Sequence, residues 1–210
     1  MENCETVVNA NRESNPCTYV NKSKEYLPLK ISTFNARCLT NKFAQLNDFI
    51  SDHDPDILVI TETWLDENVL NSEFTPNNYS CFRKDRKLSF YTPGTYVQEN
   101  RGGVMILVKN NLHPTLYQDG EVDAEIIWVR INPLPNISWL IGGCYRPEED
   151  ETNILQKINS SINSIDSANT VLLGDFNFRN IDWEATEGTN DREKEFIDTI
   201  VDNLLVKKGQ

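Results

Sequence analysis

Three apolar runs, each typical of a buried strand, end on polar side chains that could do chemistry. These side chains are Asn35, Glu62 and Asp175, and Asn177 follows shortly after the last of them. Open α/β sheets bind their ligands outside the carboxyl ends of the strands, so we expect the four side chains to share one site. A Gly-Asp pair alone is a common turn element, but three strand ends with Asn, Glu and Asp together predict a reactive centre.

The elements that must position these residues begin as an α/β unit. Apolar residues recur at helical spacing near 41–52, between the runs that end on Asn35 and Glu62. Strand, helix and strand in this order are typical of an α/β fold. The preceding residues 1–28 are rich in Asn, Ser, Glu and Lys without periodicity, and we expect them to be disordered.

The remainder of the chain is predicted to be mainly β, with two further helices. Strands are expected at 79–82, 103–108, 124–131 and 137–145, with a hairpin connection at 132–136. Apolar stripes predict helices at 154–165 and 196–204. The loop 84–102 is long, and loops of this length are usually functional or mobile.

Length and charge limit the classes of function. A chain of 210 residues, 39% of them hydrophobic, is ordinary for one domain with a sizeable core. A formal net charge of −12 argues against a nucleic-acid partner, because phosphate contacts usually come from Lys and Arg. A divalent cation in a carboxylate site would nevertheless reverse the local field where a phosphate binds. We interpret the main basic cluster, residues 83–87, as a solvated loop in preference to a phosphate contact.

Cysteine usage and hydropathy indicate the compartment. Five scattered cysteines without CxxC spacing predict reduced thiols, and we interpret Cys38 and Cys144 as small buried residues without a catalytic role. No apolar run is long enough to span a bilayer, and the N-terminus lacks the apolar core of a signal peptide. We expect an intracellular protein without a membrane partner, nuclear if it acts on genomic DNA.

Four motifs in order resemble the endonuclease/exonuclease/phosphatase superfamily. They are Asn35 in Thr-Phe-Asn-Ala-Arg, Glu62 in Thr-Glu-Thr-Trp-Leu, Tyr145 in Cys-Tyr-Arg-Pro, and the Gly-Asp-Phe-Asn run that begins at Gly174. More narrowly, the chain resembles the apurinic-type endonuclease domain of non-LTR retrotransposons. This resemblance is carried by Thr-Glu-Thr-Trp-Leu, by Arg-Gly-Gly-Val at 101–104, by Glu125 ahead of Trp-Val, and by Tyr-Arg-Pro. The resemblance covers residues 29–206, and the order of the motifs on predicted strand ends makes it specific.

This resemblance implies a fold and an activity. The fold is α/β, with two mixed β-sheets packed face to face and helices on the outer faces, a four-layer α/β sandwich. The domain would occupy 29–210. The implied activity is Mg²⁺-dependent hydrolysis of phosphodiesters, with Mn²⁺ also possible, which nicks target DNA and leaves a 3′-hydroxyl. A reverse transcriptase fused to or following the domain is the implied partner.

The resemblance also assigns a role to each motif residue. Glu62 is the principal metal ligand, and Asn35 lies beside it, either on the metal or on its ligand. Asp175 orients and deprotonates the attacking water, and Asn177 holds that carboxylate or the phosphate. Tyr145 donates its hydroxyl to the scissile phosphate. Mg²⁺ suits this chemistry because it prefers hard oxygen ligands and keeps several waters.

Three further matches leave their roles open. Arg101 and the two glycines after it are best explained by close packing of the backbone, although Arg101 could also meet a phosphate. Trp64 either lines a substrate groove or packs under the loop that carries Glu62. Glu125 could reach the site or pair with a nearby cation, and we leave it out of the core site.

One motif of the superfamily has no counterpart. The family pattern ends in a strand with Ser-Asp-His, but residues 178–210 contain no histidine. The tripeptide Ser51-Asp52-His53 spells the motif at the wrong place, in a predicted helix-to-strand turn, and His113 lies in a loop. We therefore expect a C-terminally truncated domain that lacks its last strands, with an unpaired sheet edge and weak or no activity.

Two other readings remain open at this stage. The chain could be a superfamily phosphatase acting on a small phosphoester, or a catalytically inactive remnant that binds DNA or a protein weakly. No motif for inositol-phosphate recognition is apparent, and Tyr-Arg-Pro points away from it. Target-site preference and oligomeric state are not determined by these residues.

Overall fold

The computed structural model describes residues 5–9, 29–87, 101–148, 153–166, 169–203 and 205–207. Of residues 5–9, 153 and 205–207 it describes the backbone alone.

The predicted α/β unit is present over residues 31–61. Strand β2 (Ile31–Asn35) runs parallel to β3 (Ile57–Thr61), and helix α1 (Phe43–His53) connects them. The helix ends at His53, and the next residue, Asp54, has a left-handed backbone that lets its N–H donate to the carbonyl of Ile50.

A four-stranded sheet grows from this unit. Strands β4 (Tyr79–Lys84) and β5 (Val104–Lys109) complete it in the order β2-β3-β5-β4. Strand β5 runs antiparallel to β3, so Val104 at its start pairs with Thr61 at the end of β3. Both ends therefore lie at the same edge of the sheet.

A second, six-stranded sheet follows. It contains β6 (Thr115–Tyr117), β7 (Ile126–Leu134), β8 (Ile137–Tyr145) and β9 (Thr170–Asp175), together with β1 (Glu5–Asn9) and β10 (Leu205–Lys207). Strands β8 and β9 are parallel, as β2 and β3 are, and end together at Tyr145 and Asp175. Helix α2 (Asn153–Asn163) connects them, and α3 (Asp191–Asp202) follows β9.

The outer edge of β9 differs from the expectation. The sequence predicts disorder over 1–28 and an unpaired edge here, yet residues 5–9 form β1, which pairs antiparallel with both β9 and β10. A further strand satisfies the backbone N–H and C=O groups that an open edge would leave exposed. The rest of 1–28 lies outside the described residues.

The layers agree with the predicted four-layer sandwich. The core between the two sheets includes Ile57 and Val59 of β3, Val129 of β7 and Leu173 of β9. Helix α1 packs on the outer face of the four-stranded sheet, and α2 and α3 pack on the outer face of the six-stranded one. This face-to-face packing brings the ends of the two parallel strand pairs close together.

Two boundaries differ from the sequence prediction for local reasons. The hairpin between β7 and β8 is tighter than predicted, because both strands extend to a turn of Pro135 and Asn136. Helix α3 begins earlier, at Asp191, because Asn190 and Glu193 form a capping box before its apolar stripe starts.

Residues 88–100 of the long loop lie outside the described part of the chain. Among the described residues, no helix is long and apolar enough to cross a membrane.

Candidate active site

The side chains at the four strand ends lie between the two sheets at one edge. In β2, Ile31 packs into the core between the sheets, so alternation places Asn35 on the same face. In β9, Val171 and Leu173 face that core, and Asp175 continues their face. The parallel pairs thus deliver an amide and a carboxylate from opposite sheets to a common point.

The amide of Asn35 joins the two carboxylates. Its Nδ2 donates to Glu62 Oε1 at 2.7 Å and to Asp175 Oδ2 at 3.1 Å. Its Oδ1 accepts the N–H of Arg37 at 3.0 Å, which orients the amide. Asn35, Glu62 and Asp175, all predicted site residues, therefore form one hydrogen-bonded group.

The backbone at Glu62 turns this side chain toward Asn35. Leu58 and Ile60 of β3 pack against the α1 side, and simple alternation would send Glu62 there too. Glu62 instead has a φ of 50°, a left-handed conformation that breaks the alternation. Its carbonyl accepts the N–H of Cys38 at 3.0 Å, which ties the two loops after β2 and β3 together.

The loop after β9 holds Asp175 and Asn177 in a fixed relation. The N–H of Asn177 donates to Asp175 Oδ1 at 3.1 Å, and Asn177 has a φ of 51°. Its side-chain amide donates to the carbonyl of Arg146 at 2.6 Å, away from the carboxylate. Asn177 is therefore adjacent to Asp175 but contacts it through the backbone.

Tyr145 completes the group from β8. It pairs in register with Asp175, and the residue is only 7% exposed. Burial, followed by the negative charge of Glu62, raises the pKa of its hydroxyl well above the ordinary value of 10.0, although Arg86 opposes this. The phenol stays protonated at neutral pH and can donate a hydrogen bond.

A buried ion pair lies beside Tyr145. Glu125 is fully buried, and its Oε1 accepts from Arg86 Nε at 3.0 Å and from the N–H of Gly103 at 2.6 Å. The guanidinium of Arg86 lies 5.5 Å from the centre of the Tyr145 ring. Of the two roles left open for Glu125, the structure shows pairing with a cation. The glutamate ahead of Trp-Val drew attention to Glu125 in the sequence, but residue spacing did not indicate Arg86 as its partner.

The basic cluster was wrongly interpreted as a solvated loop. Besides Arg86, Arg83 pairs with Asp85 at 3.2 Å and Lys84 with Glu121 at 3.1 Å. These three cations are at least half-buried and neutralise carboxylates. Residue spacing could not reveal the partners of Lys84 and Arg86, because Glu121 and Glu125 lie 37 and 39 residues further along the chain.

Arg101 and Trp64 contact each other near Glu62. The guanidinium of Arg101 lies 5.2 Å from the Trp64 ring centre, and the N–H of Trp64 donates to the carbonyl of Gly102 at 2.8 Å. A Cβ on Gly103 would lie 2.5 Å from Thr63 Oγ1, so this glycine permits the close approach. The packing role predicted for the two glycines is confirmed.

Neither histidine reaches the site. His53 is the last residue of α1, and its ring stacks on Phe49 at 4.3 Å. His113 follows the far end of β5. Both lie at the opposite edge of the four-stranded sheet from Glu62, because they adjoin the start of β3 and the end of β5. Rejecting Ser51-Asp52-His53 as a site motif was therefore justified.

The two cysteines near the motifs differ in burial. Cys144 is fully buried, and burial raises the pKa of its thiol far above the ordinary value. Cys38, expected to be buried, is only half-buried, with its Sγ 3.1 Å from the hydroxyl of Thr40. It lies between Ala36 and Leu39, which take the buried positions of this loop, and its backbone has a left-handed φ of 77°.

The oxygens at this edge fit a hard divalent cation. Among the described residues no three His, Cys, Asp or Glu side chains group as a metal site. Mg²⁺, however, is commonly held by one or two carboxylates, with waters and substrate phosphate as the other ligands. Glu62 and Asp175 are half-buried and are held by one amide, so water and phosphate can reach them.

The comparisons with known proteins agree with this architecture. The solved structures similar to the chain include the endonuclease domain of TRAS1, a telomere-specific non-LTR retrotransposon. It is 14% identical with a TM-score of 0.59, over 84% of this chain and 71% of that one. The AP endonuclease LMAP from Leishmania major is 14% identical with a TM-score of 0.60, over 93% and 75%. The 3′ phosphatase NExo from Neisseria, bound to product DNA hairpin, is 17% identical with a TM-score of 0.51, over 84% and 71%.

Identities this low show a shared fold and no more. A comparison with curated protein sequences gave no match. A family model described as Endonuclease/Exonuclease/phosphatase family matches residues 32–204, which include every motif residue and most of the chain. The chain therefore belongs to the endonuclease/exonuclease/phosphatase family.

Proposed function

We propose that the protein is a Mg²⁺-dependent DNA endonuclease of the retrotransposon type, which nicks target DNA and leaves a 3′-hydroxyl. The observation that carries this proposal is the amide of Asn35 between Glu62 and Asp175. Such an arrangement brings two carboxylates from different sheets together, at a place open to water and substrate. In the retrotransposon type the 3′-hydroxyl primes a reverse transcriptase, which we propose as the partner domain.

Glu62 and Asn35 are the proposed metal-holding residues. The cation supplies positive charge for the negative charge that develops on the phosphate. Asn35 donates to Glu62, which keeps one carboxylate oxygen directed and leaves the other available. The net charge of −12 does not exclude DNA binding at this edge, because a bound divalent cation would reverse the local field of the carboxylates.

Asp175 is the proposed base. Its Oδ1 accepts the N–H of Asn177 and its Oδ2 accepts from Asn35, so both oxygens are oriented by fixed donors. A carboxylate held in this way can orient a water and accept its proton. Of the two partners that the family resemblance implies for Asn177, the Asp175 carboxylate or the phosphate, the proposal rests on the carboxylate, which Asn177 contacts through its backbone N–H.

Tyr145 is the proposed donor to the scissile phosphate. A phenol is protonated at neutral pH, and burial together with the nearby Glu62 carboxylate raises the pKa of Tyr145 further and so disfavours the phenolate. Its position opposite Asp175 on the neighbouring strand places the donor and the base beside each other. A positioned donor of this kind stabilises charge on a non-bridging oxygen.

We expect slow turnover in this chain. The family histidine that contacts the phosphate has no counterpart, since the only two histidines lie at the opposite edge. Loss of a positioned acid or donor commonly costs a factor of about 10² to 10⁴ in rate. Nicking assays therefore need long incubations and a sensitive substrate.

The test is nicking of supercoiled plasmid by the purified protein. We expect Mg²⁺-dependent conversion to the open-circular form, abolished by EDTA and by Glu62→Ala. The matched control is Glu184→Ala, which removes an exposed glutamate from a turn and should leave the rate unchanged. Nicking that persists in Glu62→Ala would reveal a contaminating nuclease and contradict the proposal.

Parallel substrates separate the alternatives. The similar structures include an AP endonuclease and a 3′ phosphatase, so duplexes with an abasic site and with a 3′-phosphate should be assayed beside intact plasmid. Phosphate release from a small phosphoester without nicking would favour the phosphatase reading. DNA binding with no reaction on any substrate would favour the inactive remnant.

A further inference from the structure

We propose that Arg146 is a positioning residue, whose guanidinium holds the loop that carries Asp175 and Asn177 in its working geometry. The effect of Arg146 on catalysis rests on the proposed function. The hydrogen bonds from Arg146 to the loop, which we call the clamp, are a property of the fold. Arg146 follows Tyr145 in the Tyr-Arg-Pro motif and has no role in the mechanism above. Although it is an arginine, it is only 4% exposed.

Successive hydrogen bonds run from Arg146 to the reactive loop. Its backbone N–H donates to the carbonyl of Asp175 at 2.9 Å. Its Nε donates to the carbonyl of Phe176 at 2.6 Å, and its Nη2 donates to the carbonyl of Asn177 at 2.7 Å. Arg146 thus holds the backbone of the last residue of β9 and of the two loop residues that follow it.

Asn177 also donates back to Arg146, and an aromatic ring packs against the guanidinium. The side-chain amide of Asn177 donates back to the carbonyl of Arg146 at 2.6 Å. The guanidinium lies 4.0 Å from the centre of the Phe178 ring, which in turn packs 4.9 Å from Phe196 of α3. The loop carbonyls and the Phe178 ring therefore hold the guanidinium, and helix α3 supports that ring.

The geometry explains why arginine is needed. The pairing of β8 with β9 ends at Tyr145 and Asp175, so the carbonyls of the next two residues lie beyond the ladder. A guanidinium offers donors in a rigid planar fork that reaches both carbonyls, whereas a lysine ammonium is a point charge on a flexible stem. The fork also helps to hold Asn177 at its left-handed φ of 51°, which costs energy for any residue except glycine.

Displacement of this loop would reach the chemistry through Asp175. The N–H of Asn177 donates to Asp175 Oδ1, so a shift of Asn177 removes one of the donors that orient the proposed base. Misplacement of a reacting group by about 1 Å can cost about 100-fold in rate. We expect this loss in kcat, because Arg146 lies behind the loop and does not face the substrate.

The test compares Arg146→Lys with Arg130→Lys in the full chain. Arg130 is exposed, and its guanidinium lies 4.8 Å from the centre of the Tyr117 ring. Arg130→Lys should therefore change neither the hydrogen–deuterium exchange of the loop nor kcat. Hydrogen–deuterium exchange of the peptide over 174–180 reports the clamp without any need for activity. We expect at least about tenfold faster exchange in Arg146→Lys, and about 10- to 100-fold lower kcat with KM within about twofold.

Each outcome bears on the inference. Unchanged exchange in Arg146→Lys overturns the clamp, and faster exchange with unchanged kcat overturns the positioning role. If the wild-type protein does not react with any substrate, the proposed function fails, and the exchange result alone decides whether the clamp exists. Should Arg146→Lys fail to fold, Phe178→Leu keeps the arginine but removes the ring beneath it. This variant should show smaller changes in the same direction, and their absence would overturn the inference.

Discussion

Asn35 and Asp175 are 140 residues apart in the chain, yet the amide of one donates to the carboxylate of the other at 3.1 Å. They lie on different sheets, so this hydrogen bond also spans the interface of the sandwich. The contact exists because both strands end at the same edge with their last side chains turned inward. It is the polar end of an interface that is otherwise apolar.

Removal of this amide should impair the reaction more than the fold. We expect Asn35→Ala to lower the nicking rate by about 10- to 100-fold, because Glu62 and Asp175 lose their common donor. Rates at saturating DNA across a Mg²⁺ titration provide the measurement. Asn111→Ala, at an exposed position beyond β5, is the control. Equal rates for the two variants would show that the amide has no role.

The buried pair of Glu125 and Arg86 should be important for stability. Glu125→Gln removes the negative charge that pairs with the Arg86 guanidinium, whose side chain is 6% exposed. Breaking a buried pair in this way typically costs about 3–5 kcal/mol in the free energy of unfolding, which urea titration measures. Glu148→Gln breaks the exposed pair with Arg179 and should cost less than about 1 kcal/mol. Similar losses in the free energy of unfolding for the two variants would contradict the stabilising role of the buried pair.

Gly174 should tolerate no side chain. A Cβ there would lie 1.8 Å from the carbonyl oxygen of Cys144, and the φ of 149° is strained for other residues. We expect Gly174→Ala to cost more than about 4 kcal/mol, or to prevent folding. Gly143→Ala, whose Cβ would first meet a side-chain methyl of Val104 at 3.0 Å, should cost about 1–3 kcal/mol. Thermal unfolding of both variants gives the comparison, and a milder effect at Gly174 would be inconsistent with the strand pairing.

The capping box of α3 should make stability depend on pH. Burial alone would raise the pKa of Glu193, but hydrogen bonds from Thr189 and Asn190 hold it below the ordinary value of 4.5. Because the folded pKa is the lower one, the stabilisation is complete above the unfolded value and is lost as pH falls through the folded value. Glu193→Gln should therefore cost about 1 kcal/mol at neutral pH and less in acid.

Urea unfolding of both proteins at pH 7 and in acid checks this difference. The control is Glu195→Gln, an exposed glutamate on the same helix that accepts one hydrogen bond from Asn159. If Glu193→Gln lowered the free energy of unfolding equally at pH 7 and in acid, the stabilising role of the ionised Glu193 carboxylate would be contradicted.

Local patterns predicted most elements, because burial repeats with the period of each element. The buried strand Ile57–Thr61 and the stripe of α2 stand out in this way. The prediction was weaker where burial was not the signal. Helix α3 begins with polar residues and is started by a cap, and strand β1 lies in a segment without periodicity. The pairing of strand β1 with β9 depends on the free edge that β9 offers.

The candidate site shows the same division. The motifs predicted that Asn35, Glu62, Tyr145 and Asp175 would meet, and the structure places them at one edge. The supporting contacts were not predictable. Which carboxylate Arg86 meets, and which carbonyls Arg146 holds, depends on distances across strands that residue spacing does not encode.

The sequence by itself determined the types of reactive side chain, their order, and their placement at strand ends, because these follow from residue identity and local periodicity. Only the tertiary structure decided that one amide joins Glu62 to Asp175, that Asn177 contacts Asp175 through its backbone, and that Arg146 donates to two carbonyls of the loop. The physical reason is that hydrogen bonds need atoms within about 3 Å. Residues far apart in the chain reach that distance only when the two sheets pack.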